Sequence, residues 1–274
     1  MGLDIYSGQL TRYYCRNWET IVQQQAKEDG IECELITPTG KIKPVRDQTE
    51  INCNREFIGG WMEHIAERLK LPVAPPLWDE YKECGYYTDK PDWEAFGALA
   101  LVQSCLCLDR PCPEFIENGY NAYVDPAVKE AEEQKTPISL LRDVGIWLPI
   151  PDDIIVNDFY PTNERGMLST VSLLKHELEE LNRRLWQADE QTILSWRNDK
   201  YYYPANSQEP EETVEPEKPK RLFGLIPWKY KSKKRVIERK EIFRTEDLAQ
   251  CAYSILYQAV RFAEENQVPI ILDY

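Results

Sequence analysis

Apolar and polar positions alternate over residues 3–10, the period of a half-buried strand, with Gly8 or the Thr11-Arg12 pair as its end. The period then lengthens: Trp18, Ile21, Val22 and Ala26 recur at helical spacing behind Asn17 as N-cap. Gly30 stands where a left-handed C-terminal residue belongs. Residues 31–36 and 41–45 flank the turn-forming run Thr37-Pro38-Thr39-Gly40 and predict a hairpin.

Over residues 56–71, Phe57, Trp61, Ile65 and Leu69 recur once per turn before Pro72, Pro75 and Pro76 stop the helix. Asp92 is placed to cap a further helix through Trp93, Phe96, Leu99, Ala100 and Leu101 towards Cys105, whose nearly continuous apolar character predicts deep burial. Asp125-Pro126 opens a short charged helix running to Glu133, and residues 137–147 predict another short helix. The clearest periodicity covers residues 169–188, where Val171, Leu174, Leu178, Leu181 and Leu185 alternate at intervals of three and four. That stripe spans under three heptads, so it predicts a helix packed within a domain rather than a free coiled coil. Thr245, with Glu246 and Asp247 in the first turn, caps a helix carrying Leu248, Ala252, Ile255, Leu256, Ala259 and Phe262, and residues 270–272 form a short buried-type strand.

These elements predict an α+β fold: a modest mixed or antiparallel sheet that includes both chain ends, covered by several amphipathic helices, in one domain over residues 1–274. No fixed-period repeat occurs. Residues 204–219, rich in Glu and Pro, read as a mobile loop, and a charged insertion or flap over 204–244 interrupts the fold.

Charge changes the picture most at that insertion. Glu209, Glu211, Glu212, Glu215 and Glu217 run into a basic segment from Lys218 to Arg244, where eleven lysines and arginines face two glutamates. That segment carries +9 in a protein of net charge −14, so the remainder carries −23. Such separation bears on partners and solubility, not on fold. The anionic body argues against nucleic-acid binding except through the basic segment, where Phe223, Trp228 and Tyr230 lie among Lys229, Lys231, Lys233, Lys234 and Arg235. Pro227 breaks any amphipathic membrane helix there. The start lacks a secretory pattern and no apolar run is long enough to span a bilayer, which predicts a cytoplasmic protein without a membrane partner and with mostly reduced cysteines.

Candidate chemistry is sparse. Cys105, Cys107 and Cys112, with Cys84 as a fourth thiol, form the densest cluster of soft ligands. Their spacing fits structural zinc poorly and fits buried small hydrophobes better. The two histidines, His64 and His176, lack the partners of a zinc protease. No phosphate loop, dinucleotide fingerprint or nucleophile elbow is present among only 12 glycines. Asp4 and Asp273 would be brought together as a carboxylate pair if the first and last strands are neighbours. Tyr13-Tyr14 and the run Tyr201, Tyr202, Tyr203 supply aromatic anchors or packing.

The expectation is therefore a non-enzymatic protein without cofactor or metal, of inhibitor or immunity type, that neutralises a basic protein partner. The candidate contact residues are Tyr201, Tyr202, Phe223, Trp228, Lys229, Tyr230, Lys231, Lys233, Lys234 and Arg235. A carboxylate-based enzyme, with or without metal, and a nucleic-acid-associated protein using residues 218–244 are the alternatives.

Overall fold

The computed structural model describes residues 2–31, 36–37, 40–41, 44–71, 77–134, 137–197, 204–205 and 241–273. The first strand, β1 (Asp4–Ser7), is shorter than its alternation predicts, because Leu10 already begins a short helix, α1 (Leu10–Tyr14). Gln9 offers that helix no side-chain cap. The buried Glu80 supplies one from far along the chain, accepting from the Leu10 N–H at 3.0 Å and the Thr11 N–H at 2.8 Å.

Helix α2 (Ile21–Glu28) starts at Thr20 rather than Asn17, since Thr20 and Gln23 form a reciprocal capping box. Gly30 takes the expected left-handed conformation, at φ 72°. The expected hairpin is present as β2 (Ile36–Thr37) and β3 (Gly40–Lys41), paired antiparallel apart from the main sheet.

Helix α3 (Gln48–Leu69) begins eight residues before its apolar stripe suggests, capped where Asp47 accepts from the Glu50 N–H at 3.0 Å. The chain continues through β4 (Tyr87–Asp89), α4 (Asp92–Cys107), β5 (Phe115–Glu117), α5 (Pro126–Glu132), β6 (Val144–Leu148), β7 (Ile155–Phe159), β8 (Arg165–Thr170), α6 (Val171–Leu181) and α7 (Glu190–Ser195). It ends in β9 (Ile242–Arg244), α8 (Thr245–Asn266) and β10 (Ile270–Asp273). Most of the charged insertion expected over 204–244 lies outside the described residues. Its last three residues are β9, which pairs with β5.

The main sheet has the order β4-β1-β10-β6-β8-β7 and is mixed: β6 and β8 run parallel, and its other neighbours pair antiparallel. The sheet includes both ends of the chain, as expected, and they pair with each other as β1 and β10. Strand alternation sends Ile5, Trp147 and Leu272 into a core with α4, α6 and α8, and sends Tyr6, Ile146 and Ile271 into a second core with α1 and α3. Fully burying a Leu, Ile or Phe side chain stabilises by about 1.5–3 kcal/mol.

Burial on both faces explains the main misreading of the sequence. Residues 137–147 are not a helix: Ser139–Leu141 make one 3₁₀ turn and Val144 opens β6, all five of whose residues are buried. A strand covered on both sides loses its alternation and reads as a continuous apolar run. The helix expected over 169–188 is likewise shorter. Ser169 and Thr170 finish β8, α6 ends at Leu181, and residues Asn182–Trp186 widen into a π turn that Asn182 closes through its bonds to Ala188. The widened turn takes Leu185 off the buried stripe, leaving it 41% exposed.

Helix α4 is buried from Ala95 to Cys105 and packs along α8, which makes it central, as its composition predicts. Asp92 does not cap it. Its backbone is left-handed at φ 53° and its carboxylate pairs with Lys90 at 3.3 Å. Asp125 does cap α5, accepting from the Ala127 N–H at 2.8 Å. Among the described residues no helix is long and apolar enough to cross a membrane.

Candidate functional site

The candidate contact residues Tyr201, Tyr202, Phe223, Trp228, Lys229, Tyr230, Lys231, Lys233, Lys234 and Arg235 lie outside the described residues, as does Tyr203. Two features within the described residues stand out: the solvent face of α3 and a cavity at the start of α8.

Helix α3 buries Ile58, Trp61, Met62, Ile65 and Ala66 against the sheet. Phe57, which spacing assigns to that stripe, turns outward and is 52% exposed. The outer face carries exposed Glu56, Glu63 and Glu67, one or two turns apart. Nearby, Arg55 lies over the ring of Tyr81, 4.4 Å from its centre, and that ring is 72% exposed. The helix is fixed to the edge strand β7. Trp61 Nε1 donates to the Phe159 carbonyl at 2.7 Å, and Asp158 contacts His64 at 3.1 Å and Arg68 at 3.4 Å. Burial works against the Asp158 carboxylate, but the Phe159 N–H, His64 and Arg68 together hold it below the ordinary aspartate range. His176 plays a similar part against Asp153, at 2.8 Å. Both histidines therefore serve in local pairs.

The cavity, of about 660 Å³, lies between the end of α4, the segment 109–114, the π turn and the first residues of α8. Its wall combines Val102, Leu106 and Trp186 with Asp109, Glu114, Glu246, Arg110 and Arg244. Arg110 is engaged by both oxygens of Glu130 at 2.7 Å. Thr245, expected to cap α8, is instead its first helical residue. Its N–H donates to the Glu114 carbonyl, while its hydroxyl, on a residue 2% exposed, has no hydrogen-bond partner.

Cys105 and Cys112 share a hydrogen bond in the same wall, and burial, followed by the proximity of Cys105, pushes the Cys112 thiol up to about 12. They are neutral thiols near pH 7. Cys107 accepts from Gln103 Nε2 at 3.3 Å, and Cys84 does not join the group: it lies near Arg12, Lys82 and Glu80. Among the described residues no three His, Cys, Asp or Glu side chains converge as a metal site.

Asp4 and Asp273 do meet, as facing residues of β1 and β10. Tyr13 donates to Asp273 Oδ1 at 2.5 Å. Burial raises the Asp4 carboxyl above its usual range against the attraction of Lys90, with a smaller repulsion from Asp273 adding to it, and Asp4 Oδ1 is buried without a partner. Tyr13 packs with Tyr6, Trp18 and Tyr14, so the first tyrosine pair serves packing.

Sequence reasoning missed Tyr81 and the cavity. The cavity is assembled from three separated stretches, so no linear motif announces it. The outer carboxylates of α3 were available as the complement of its apolar stripe. No family model matches this chain, and no curated protein or solved structure matches it.

Proposed function

We propose that this chain is a non-catalytic protein-binding protein, of inhibitor or immunity type, that neutralises a basic protein through the outer face of α3. The observation that carries this reading is the pairing of exposed carboxylates Glu56, Glu63 and Glu67 with the exposed aromatic rings of Phe57 and Tyr81. Carboxylates accelerate encounter with a cationic surface, and aromatic rings supply the anchoring contact area. The net −23 outside residues 218–244 extends the same potential over the body.

The test is affinity capture from the native lysate at about 0.15 M salt, where charges beyond roughly 8 Å are screened. Captured proteins are then purified and titrated against the wild type, Phe57→Ala and Glu63→Lys. A basic protein bound by the wild type and weakened at least tenfold by each variant supports the reading. Partners that are not basic, or that bind both variants unchanged, reject it.

A second reading, a carboxylate-based enzyme, draws on the Asp4 and Asp273 pair with the Tyr13 hydroxyl beside it. Turnover of a substrate that Asp273→Asn abolishes without loss of folding would favour it over the first.

A further inference from the structure

The way α4 ends brings two cysteines together. Asp109 takes a left-handed backbone at φ 50°, the Arg110 N–H donates to the Cys105 carbonyl at 2.9 Å, and the Asp109 N–H donates to the Leu106 carbonyl at 3.4 Å. This paired stop reverses the chain. Both oxygens of Glu130 then hold Arg110 at 2.7 Å, and Pro111 and Pro113 fix the backbone on either side of Cys112. The reversed segment sets the Cys112 thiol against the Cys105 sulfur, to which it donates a hydrogen bond.

Access is the second observation. Cys105 is 5% exposed and Cys112 is half-buried, yet both line the cavity of about 660 Å³, which has ample room for a small oxidant. Cys107 does not compete, because its sulfur accepts from Gln103 Nε2 and it does not line this wall. Burial pushes both thiols up, but the bond from Cys112 and the nearby Arg110 favour the Cys105 thiolate, against Asp125. Cys105, Asp125 and Glu246 all disfavour the thiolate of Cys112. Cys105 is therefore the first of the pair to ionise, with a second thiol already at its side.

We propose that Cys105 and Cys112 form a redox modification site, a dithiol that a peroxide closes to an intramolecular disulfide. The Cys105 thiolate attacks one peroxide oxygen and breaks the O–O bond; the departing hydroxide takes up the proton that Cys105 lost and leaves as water. The Cys112 sulfur then attacks the resulting sulfenic sulfur, and hydroxide departs with the Cys112 proton as a second water. Two thiols lose two electrons in all, and the peroxide is reduced to two waters.

The full chain, reduced and freed of reductant, is treated with hydrogen peroxide at about pH 8, where more thiolate is present than at pH 7. Remaining thiols are blocked with iodoacetamide, and the chain is cut before Asp109, which separates the two cysteines. Mass spectrometry should find a link between Cys105 and Cys112, about 2 Da lighter than the two free peptides and reversed by dithiothreitol. It should persist in Cys107→Ser. Cys112→Ser should abolish it and leave Cys105 as a sulfenic acid that dimedone traps. A second measurement needs no variant and no oxidant: one equivalent of phenylarsine oxide, which joins two adjacent thiols with loss of water, should protect both cysteines of the wild type from iodoacetamide. No Cys105–Cys112 link once the exposed Cys53 is fully oxidised overturns the proposal. A link through Cys107 in its place, or either thiol left alkylated beside the arsenical, overturns it as well.

Discussion

Asp4 and Asp273 face each other across neighbouring antiparallel strands, with the Tyr13 hydroxyl donating to Asp273 at 2.5 Å. Burial is the main reason the Asp4 pKa is raised, and the like charge set opposite it on the sheet adds a smaller destabilising share. A carboxyl whose folded pKa exceeds its unfolded value stabilises below the unfolded pKa and loses that contribution as pH rises through the folded one. Asp4→Asn should therefore raise stability at pH 7 by up to about 1 kcal/mol and change it little near pH 3. Thermal unfolding at the two pH values checks this, and equal shifts at both would count against it.

Glu177 holds the 3₁₀ turn before β6, accepting from the Ser139 N–H, from Ser139 Oγ at 2.8 Å and from the Leu140 N–H at 3.2 Å. Trp147 Nε1 donates to the same Ser139 hydroxyl at 3.0 Å. Burial pushes the Glu177 carboxyl up to about 7, even though those hydrogen bonds pull the other way. Its contribution to stability is thus full below about pH 4.5 and falls as pH rises towards and past 7. Glu177→Gln should flatten the stability profile between pH 5 and 8, read from urea midpoints. An unchanged slope would show that Glu177 is not the responsible group.

The end of α1 depends on a residue about seventy positions away. Glu80 receives the Leu10 and Thr11 N–H groups and Trp78 Nε1, the last at 2.6 Å. Glu80→Ala strands three buried donors and should cost about 2–4 kcal/mol, while Glu80→Gln, which keeps an acceptor, should cost less. Urea denaturation of both variants distinguishes the outcomes.

Tyr160 is threaded over two glycines. Its hydroxyl donates to the Met167 carbonyl at 3.0 Å and accepts from the Gly145 N–H at 3.1 Å, and a Cβ at Gly166 would overlap its ring. Gly166→Ala should destabilise by about 1–3 kcal/mol. In a double-mutant cycle, Tyr160→Leu should absorb most of that loss, since the clash disappears with the ring. Additive effects would mean that the glycine serves some other purpose.

Helix α3 ends at Lys70, whose backbone is left-handed at φ 53° although its side chain is exposed. A non-glycine residue there bears a cost of about 1–2 kcal/mol. Lys70→Gly should therefore stabilise, by up to about 1 kcal/mol after the added freedom of the unfolded chain is subtracted. A lowered melting temperature would contradict this.

The legible parts of the fold were those whose environment has a single apolar side. Helices α3 and α8 bury one stripe each, so period 3.6 marks them, and β1 alternates. Strand β6 is buried on both faces and loses its period, and β4, β5 and β9, three residues each, are too short to show one. Capping failed where the partner was distant: Gln9 has no local cap, and Glu80 is invisible from its position in the sequence. At the candidate sites, Glu56, Glu63 and Glu67 could be read as the complement of a buried stripe. The exposure of Phe57 could not, because its spacing matches Trp61 and Ile65 equally well. The pairing of Asp4 with Asp273 depended on strand order, which only the fold supplies.

Among the described residues of the main sheet, β4 and β1 are joined to β6, β8 and β7 through β10 alone. Residues 270–273 therefore act as a keystone: without them the sheet divides into β4-β1 and β6-β8-β7, each with an open edge. A chain arrested just short of them would expose unpaired backbone on Ser7 and Trp147 alike.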